Sequence, residues 1–364
     1  MSTPVKVPAA RGRAAFHRLR VAHVEQLCED AVAVTFDVPT ELAEVYAFAP
    51  GQSLTLRRVV DGVEERRSYS ICSVVGETLR VGVRLVPGGL FSTWLVRQVS
   101  AGDEVEVGVP TGRFTPDLGR SARHVLLAAG SGITPVLSMA SSLLRRTDSR
   151  VTLIYGNRRS DTVMFADELA DLKDAFGPRL ELIHVLSREP RESELFTGRL
   201  DGAKIDRLLS TVVAADGVDH WWLCGPHGMV TEAQEVLAGH GVAGGRIHQE
   251  LFFVEGAEPP PQVRHEEPEI EGPACEVTVI LDGRTTTLGL PREMPLLDSA
   301  QRYRPDLPFA CKGGVCGTCR VRVCDGEVRM RRNYALTPAE IEAGYALACQ
   351  SLPVSDAVTL DFDS

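Results

Sequence analysis

The chain has 364 residues, 44% hydrophobic and 24% charged, with a formal net charge of −10. That length suits two or three domains with separate cores, and the acidic balance argues against a nucleic-acid or anionic-membrane surface. No apolar run is long enough to cross a bilayer, Met1–Arg13 lacks the apolar core of a signal peptide, and the nine cysteines show no disulfide framework, so a cytoplasmic protein is expected.

Residues 13–118 read as an antiparallel β-barrel: short apolar, β-branched runs (Ala31–Val38, Ser53–Leu56, Leu79–Val86) separated by turn signals such as Pro50-Gly51 and Asp61-Gly62. In Arg67-Ser68-Tyr69-Ser70, strand alternation puts Arg67 and Tyr69 on one face, and an arginine fork suits phosphate. Farther on, Pro87-Gly88-Gly89-Leu90-Phe91-Ser92 ends a strand, turns on two glycines and is predicted to start a short helix around Ser92. Free amides at such a start favour an anion.

Residues 119–256 change texture. Strands at 124–129, 151–155, 180–186 and 221–223 alternate with helical stretches, predicting a doubly wound parallel α/β sheet. After the first strand, Gly130-x-Gly132-x-Thr134-Pro135 lets phosphate approach the backbone, and proline is tolerated in a first helical turn. Arg158, Arg159, Ser187 and Arg188 follow two strands, where such a sheet presents its ligand-binding edge. The guanidinium groups of Arg158, Arg159 and Arg188 would favour the 2′-phosphate of NADPH. Cys224-Gly225-Pro226 follows a later strand, and His248-Gln249-Glu250-Leu251-Phe252 closes the domain.

Residues 257–272 hold four prolines and five acids, a semi-stiff linker able to reach roughly 50 Å. From 273 to 364 a predicted hairpin (275–288) and a helix near Leu296–Tyr303 precede Cys311-x4-Cys316-x2-Cys319, with Cys349 thirty residues on. This is the plant-type spacing for a [2Fe–2S] cluster, and Gly313, Gly314 and Gly317 let the loop turn its amides toward sulfur. A structural zinc site usually wants two C-x2-C pairs, and only one is present. Cys324 reads as structural.

The R-x-Y-S piece, the G-S-G-I-T-P and C-G-P pair and the cysteine loop together resemble the ferredoxin–NADP reductase superfamily, in the branch with a C-terminal β-grasp ferredoxin domain. The resemblance implies that Arg67 pairs with the FAD pyrophosphate, cradled also by Gly88, Gly89 and Ser92. Tyr69 would pack on the isoalloxazine and Ser70 bond near its N5. It places Gly130, Gly132, Thr134, Pro135, Cys224, Gly225 and Pro226 around NADP, gives Glu250 a proton-relay role and makes Phe252 a ring cover. Pieces such as Leu153-Ile154-Tyr155-Gly156-Asn157-Arg158 and Gly198-Arg199-Leu200-Asp201-Gly202 are similar to reductase subunits of ring 1,2-phenylacetyl-CoA epoxidases, implying a diiron oxygenase partner. A reductase of another oxygenase, such as a 3-ketosteroid 9α-hydroxylase, shares this domain order. A redox sensor or zinc module is the rival of a different class.

Overall fold

The computed structural model describes residues 16–60, 63–252 and 274–364; the predicted linker 257–272 and the N-terminal stretch lie outside the described residues. Six strands form the first sheet: β1 Phe16–Cys28, β2 Ala31–Asp37, β3 Ser53–Val60, β4 Val63–Ser70, β5 Leu79–Arg84 and β6 Glu104–Gly108. They lie in the order β4-β3-β6-β1-β2-β5, and a bridge between Ile71 and Val81 joins the two ends into the expected barrel. Its interior is apolar, with Leu19, Val34, Leu54, Leu56 and Val81 fully buried. The α-helix described here, α1, spans Leu90–Arg97. It starts two residues before the expected Ser92, because Ser92 Oγ is taken by the Val86 N–H at 3.1 Å and ties the preceding turn to the helix instead of capping it.

The second sheet is parallel: β7 Arg123–Ala129, β8 Arg150–Asn157, β9 Leu180–Leu186, β10 His220–Cys224 and β11 Ile247–Glu250, ordered β11-β10-β7-β8-β9. The central β7 and β8 are buried along nearly their whole length, as strands covered on both faces must be. Helices α2 Ile133–Arg146, α3 Ala166–Phe176, α4 Gly202–Thr211 and α5 His227–Gly239 supply the covers. Asp201 caps α4 through its carboxylate and the Lys204 N–H, 2.9 Å. In α2 every residue from Ile133 to Leu144 is buried, because the helix lies between this sheet and the barrel.

The third unit is a mixed sheet, built from β12 Ala274–Leu281, β13 Arg284–Pro291, β14 Arg320–Asp325, β16 Tyr345–Leu347 and β18 Ala357–Asp361. Its order is β13-β12-β18-β14-β16, with β15 Val328–Met330 and β17 Ser351–Pro353 forming a small side ribbon. β12 buries alternate residues, Cys275, Val277, Val279 and Leu281, as a sheet with one wet face does. Helix α6 (Leu296–Ala300) is shorter than the 296–303 predicted, and α7 (Pro338–Glu342) carries a capping box between Thr337 and Glu340. Cys324 lies exposed on β14, away from the cysteine loop's buried members. No described helix is long and apolar enough to cross a membrane.

Candidate functional site

Strand β4 leads into the first part of the site. Tyr69 and Arg67 stand opposite Leu54 and Leu56 of β3, and the Tyr69 ring lies 6.1 Å from Phe91 in the first turn of α1. Burial pushes the Tyr69 hydroxyl's pKa up, so it stays a neutral donor. Arg67 is partly buried and donates to the Arg66 carbonyl at 2.7 Å. Gly88 adopts φ +73°, and a Cβ on Gly89 would come 2.8 Å from Ser92 Oγ and 3.0 Å from the Val86 carbonyl oxygen. The turn therefore closes only with glycines. Gly89 is the N-cap of α1 and brings no side chain to its first amides, which suits a phosphate there.

The second part gathers at the carboxyl ends of β7 and β10. A Cβ on Gly132 would collide with the backbone of Cys224, so only glycine lets these two turns touch. Thr134 is buried and donates to the Ser131 carbonyl at 3.0 Å; Pro135 follows in the same first turn of α2. Gly225 packs on Ala129 and Met229, and Pro226 is the N-cap of α5. Cys224 is fully buried, and burial followed by the nearby Glu250 charge pushes its thiol well up, keeping it a neutral thiol.

Ser70, Cys224 and Glu250 come together from two domains. Glu250 stands beside Cys224 in the β10–β11 pairing, and Ser70 Oγ donates to Glu250 Oε1 at 3.0 Å. Burial raises the Glu250 carboxyl to about 7, opposed by the Ser70 hydrogen bond. Phe252 is 36% exposed, whereas Leu251 enters the α/β core. Arg158, Arg159, Ser187 and Arg188 are all exposed beyond β8 and β9, where Ser187 and Arg188 extend the ladder by donating to the carbonyls of Asn157 and Arg158. The fork of Arg159 is occupied by Asp161 at 2.9 and 2.6 Å.

The third part is the cysteine loop. Cys311 interacts most strongly with Cys316, and Cys319 with Cys349 and, less strongly, with Cys316 and Cys311, so the four thiols lie together with two closer pairs among them. No group of three or more His, Cys, Asp or Glu among the described residues is set to hold a single metal ion. Two pairs are what two irons need, each taking two thiolates beside the bridging sulfides. The Gly313 N–H donates to Cys311 Sγ at 3.3 Å, and Gln350 Nε2 points at Cys349 Sγ at 3.6 Å while bonding the Lys312 carbonyl at 2.8 Å. Such donors stabilise added negative charge. The residues present therefore fit a [2Fe–2S] cluster. Gln350 carries no sequence signal beyond adjacency to the last cysteine.

This loop leans on the turn and helix that follow β10: Val315 joins the core containing Met229 and Leu251, and Tyr334 packs edge-on against His227 at 5.3 Å. Toward the barrel, Arg66 reaches the carbonyls of Pro305 and Leu307 at 3.3 and 3.4 Å. Nothing in the local pattern separates Arg66 from Arg67 except strand alternation, which sends them to opposite faces.

Comparison with known proteins agrees with this geometry. Residues 18–115 match the oxidoreductase FAD-binding domain, 126–235 the oxidoreductase NAD-binding domain and 279–354 the 2Fe-2S iron-sulfur cluster binding domain. The chain is 42% identical to a subunit of the 1,2-phenylacetyl-CoA epoxidase of Escherichia coli (strain K12), covering 96% of this chain and 98% of that one. It is 33% identical to the ferredoxin reductase component of the 3-ketosteroid-9-alpha-monooxygenase of Rhodococcus rhodochrous, covering 94% and 96%. Phthalate dioxygenase reductase shares the fold at TM-score 0.60 and 24% identity, covering 96% of this chain and 98% of that one. The chain thus belongs to the iron–sulfur flavoprotein reductases, NAD(P)H-dependent oxidoreductases with FAD-binding, NAD-binding and [2Fe–2S] domains in one polypeptide.

Proposed function

We propose that this protein is the reductase of a phenylacetyl-CoA epoxidase, carrying electrons from NADPH through FAD and a [2Fe–2S] cluster to a diiron oxygenase. The observation that carries the reading is the end-to-end match to the epoxidase component, 42% identical over 98% of its length. When bound, FAD takes up the two electrons of a hydride and the cluster passes them on singly, at a potential of about −400 mV for plant-type centres. The domains run 13–118, 119–256 and 273–364, with 257–272 as tether.

Within this reading Arg67, Gly88, Gly89 and Ser92 hold the FAD pyrophosphate, and Tyr69 lies along the ring system. Gly130, Gly132, Thr134, Pro135, Gly225 and Pro226 seat the nicotinamide half of NADPH, with Ser187 beside its 2′-phosphate. Arg158 and Arg188 grip that phosphate, since Arg159 is engaged by Asp161. Glu250 holds a proton near neutral pH, and the Ser70 hydroxyl 3.0 Å away passes it toward the flavin. Cys224, a buried neutral thiol, packs beside the reacting ring without adding charge. Cys311, Cys316, Cys319 and Cys349 ligate the cluster, and Phe252 covers the flavin from the domain end. A thiolate-held cluster beside five further cysteines with no disulfide spacing suits the reducing cytoplasm.

The test is reconstitution with purified diiron epoxidase and phenylacetyl-CoA. NADPH-dependent epoxidation is expected. Failure there, with turnover of a 3-ketosteroid 9α-monooxygenase instead, would overturn the epoxidase assignment while keeping the reductase.

A further inference from the structure

Arg66 is 3% exposed, yet it belongs neither to the phosphate-facing side of its strand nor to the barrel interior. Its Nε donates to Glu64 at 2.7 Å, and its two terminal nitrogens point across a domain boundary at the carbonyls of Leu307 and Pro305, 3.4 and 3.3 Å away. The guanidinium lies 4.1 Å from the Phe309 ring of the ferredoxin domain and 5.0 Å from the Phe16 ring of the barrel. The Phe309 ring also meets the Lys312 ammonium at 4.7 Å, itself paired with Asp298 at 2.6 Å. Phe309 precedes the first cluster cysteine by two residues. A buried charge is tolerated only where its donors and its face are matched, and here the matching groups come from both domains.

A second described contact between these two domains has a different character. Arg113 pairs with Glu340 of α7, but the Arg113 side chain is 64% exposed. Solvent and salt screen such a pair. The ferredoxin domain is also held from the α/β side, where Val315 enters the core with Met229 and Leu251 and Tyr334 packs on His227. Arg66 supplies the buried hold on the barrel side, and because the domain is covalently linked that docking is an intramolecular event.

We propose that Arg66 is a positioning residue that clamps the cluster end of the ferredoxin domain to the flavin-binding barrel, so that electrons cross in one fixed arrangement. The strand that carries Arg67 and Tyr69 toward the flavin thereby also holds, on its opposite face, the domain that receives the electrons. With FAD and the cluster bound, the flavin would accept a hydride from NADPH and the cluster would take its two electrons one at a time, the protons leaving to solvent; Arg66 would fix how the two sites face each other. This clamp presupposes the electron route proposed above.

The test uses holoprotein, with flavin and iron content measured, in three variants: Arg66→Met, Arg66→Lys and the surface control Arg113→Ala. Anaerobic mixing with NADPH follows flavin and cluster bleaching separately, and small-angle scattering reports the solution radius. Flavin bleaching is expected within about twofold of wild type in all three. Cluster bleaching is expected to slow by about tenfold or more in Arg66→Met, by less in Arg66→Lys and not in Arg113→Ala, with a larger radius wherever it slows. An Arg66→Met protein with normal cluster bleaching and normal radius would overturn the clamp. So would lost flavin or slowed flavin bleaching, which would assign Arg66 to the flavin site. Should Arg66→Met not fold, Arg66→Lys, which keeps the charge beside Glu64 but loses the fork, is read by the same criteria. If NADPH bleached no cluster even in wild type, the route would fail, and the radius alone would still decide the clamp.

Discussion

Two boundaries inside this molecule are built from different materials. Between the barrel and the α/β domain, Ala31, Ala33, Cys72 and Phe114 enter the same apolar core as Val136, Met139 and Leu143 of α2. Two hydroxyls of that helix stitch the seam, Ser138 donating to the Ser73 carbonyl at 2.6 Å and Ser142 accepting from the Val75 N–H at 3.1 Å. Between the barrel and the ferredoxin domain, among the described residues, lie a buried guanidinium with its aromatic partners and an exposed ion pair. The division follows the chemistry. Hydride transfer needs donor and acceptor in contact and aligned, so the two domains that meet there share a core. A single electron tolerates more separation, and a domain that must also serve an outside partner gains from a contact it can release.

The largest way to break this contrast is to hollow the shared core. Leu143→Ala removes a fully buried side chain at the seam and is expected to destabilise the protein by about 2–5 kcal/mol. Thermal unfolding should show the barrel and α/β domain losing structure together, with the ferredoxin domain's transition little moved. Separate transitions for the first two domains would show that the seam is not a common core.

A smaller effect is expected at the point where that seam becomes chemical. Glu250 has a folded-state pKa raised from 4.5 to about 7, chiefly by burial. The folded chain therefore binds more protons than the unfolded chain between these values, and stability falls as pH rises from about 5 to about 7. Glu250→Gln removes that dependence, flattening the stability profile by an amount on the order of 2 kcal/mol across the window. It should also erase an inflection near pH 7 in the rate of flavin reduction. An unchanged rate profile in the variant would remove Glu250 from the proton path.

Much of this architecture is local in origin and legible in the sequence for that reason. The cysteine spacing, the G-S-G-I-T-P turn and the change from short strands to alternating strands and helices each lie within a few dozen residues. The start of α1 is displaced from its expected place because Ser92, a good capping residue, spends its hydroxyl on Val86. By pattern Arg159 groups with Arg158 and Arg188, although Asp161, which occupies it, stands only two residues away. The contacts of Arg66 are out of reach for a stronger reason: its partners lie 239 and 241 residues along the chain, and no periodicity encodes such a pairing. The meeting of Ser70 with Glu250, 180 residues apart, is reachable only through family resemblance.

The most direct measurement compares wild type with Cys316→Ser, both loaded with flavin, for NADPH oxidation by ferricyanide and by the oxygenase. Ferricyanide reduction is expected within about twofold in the two proteins, while oxygenase turnover disappears from the variant. Oxygenase turnover persisting in a protein that binds no iron would contradict the passage of electrons through the cysteine loop.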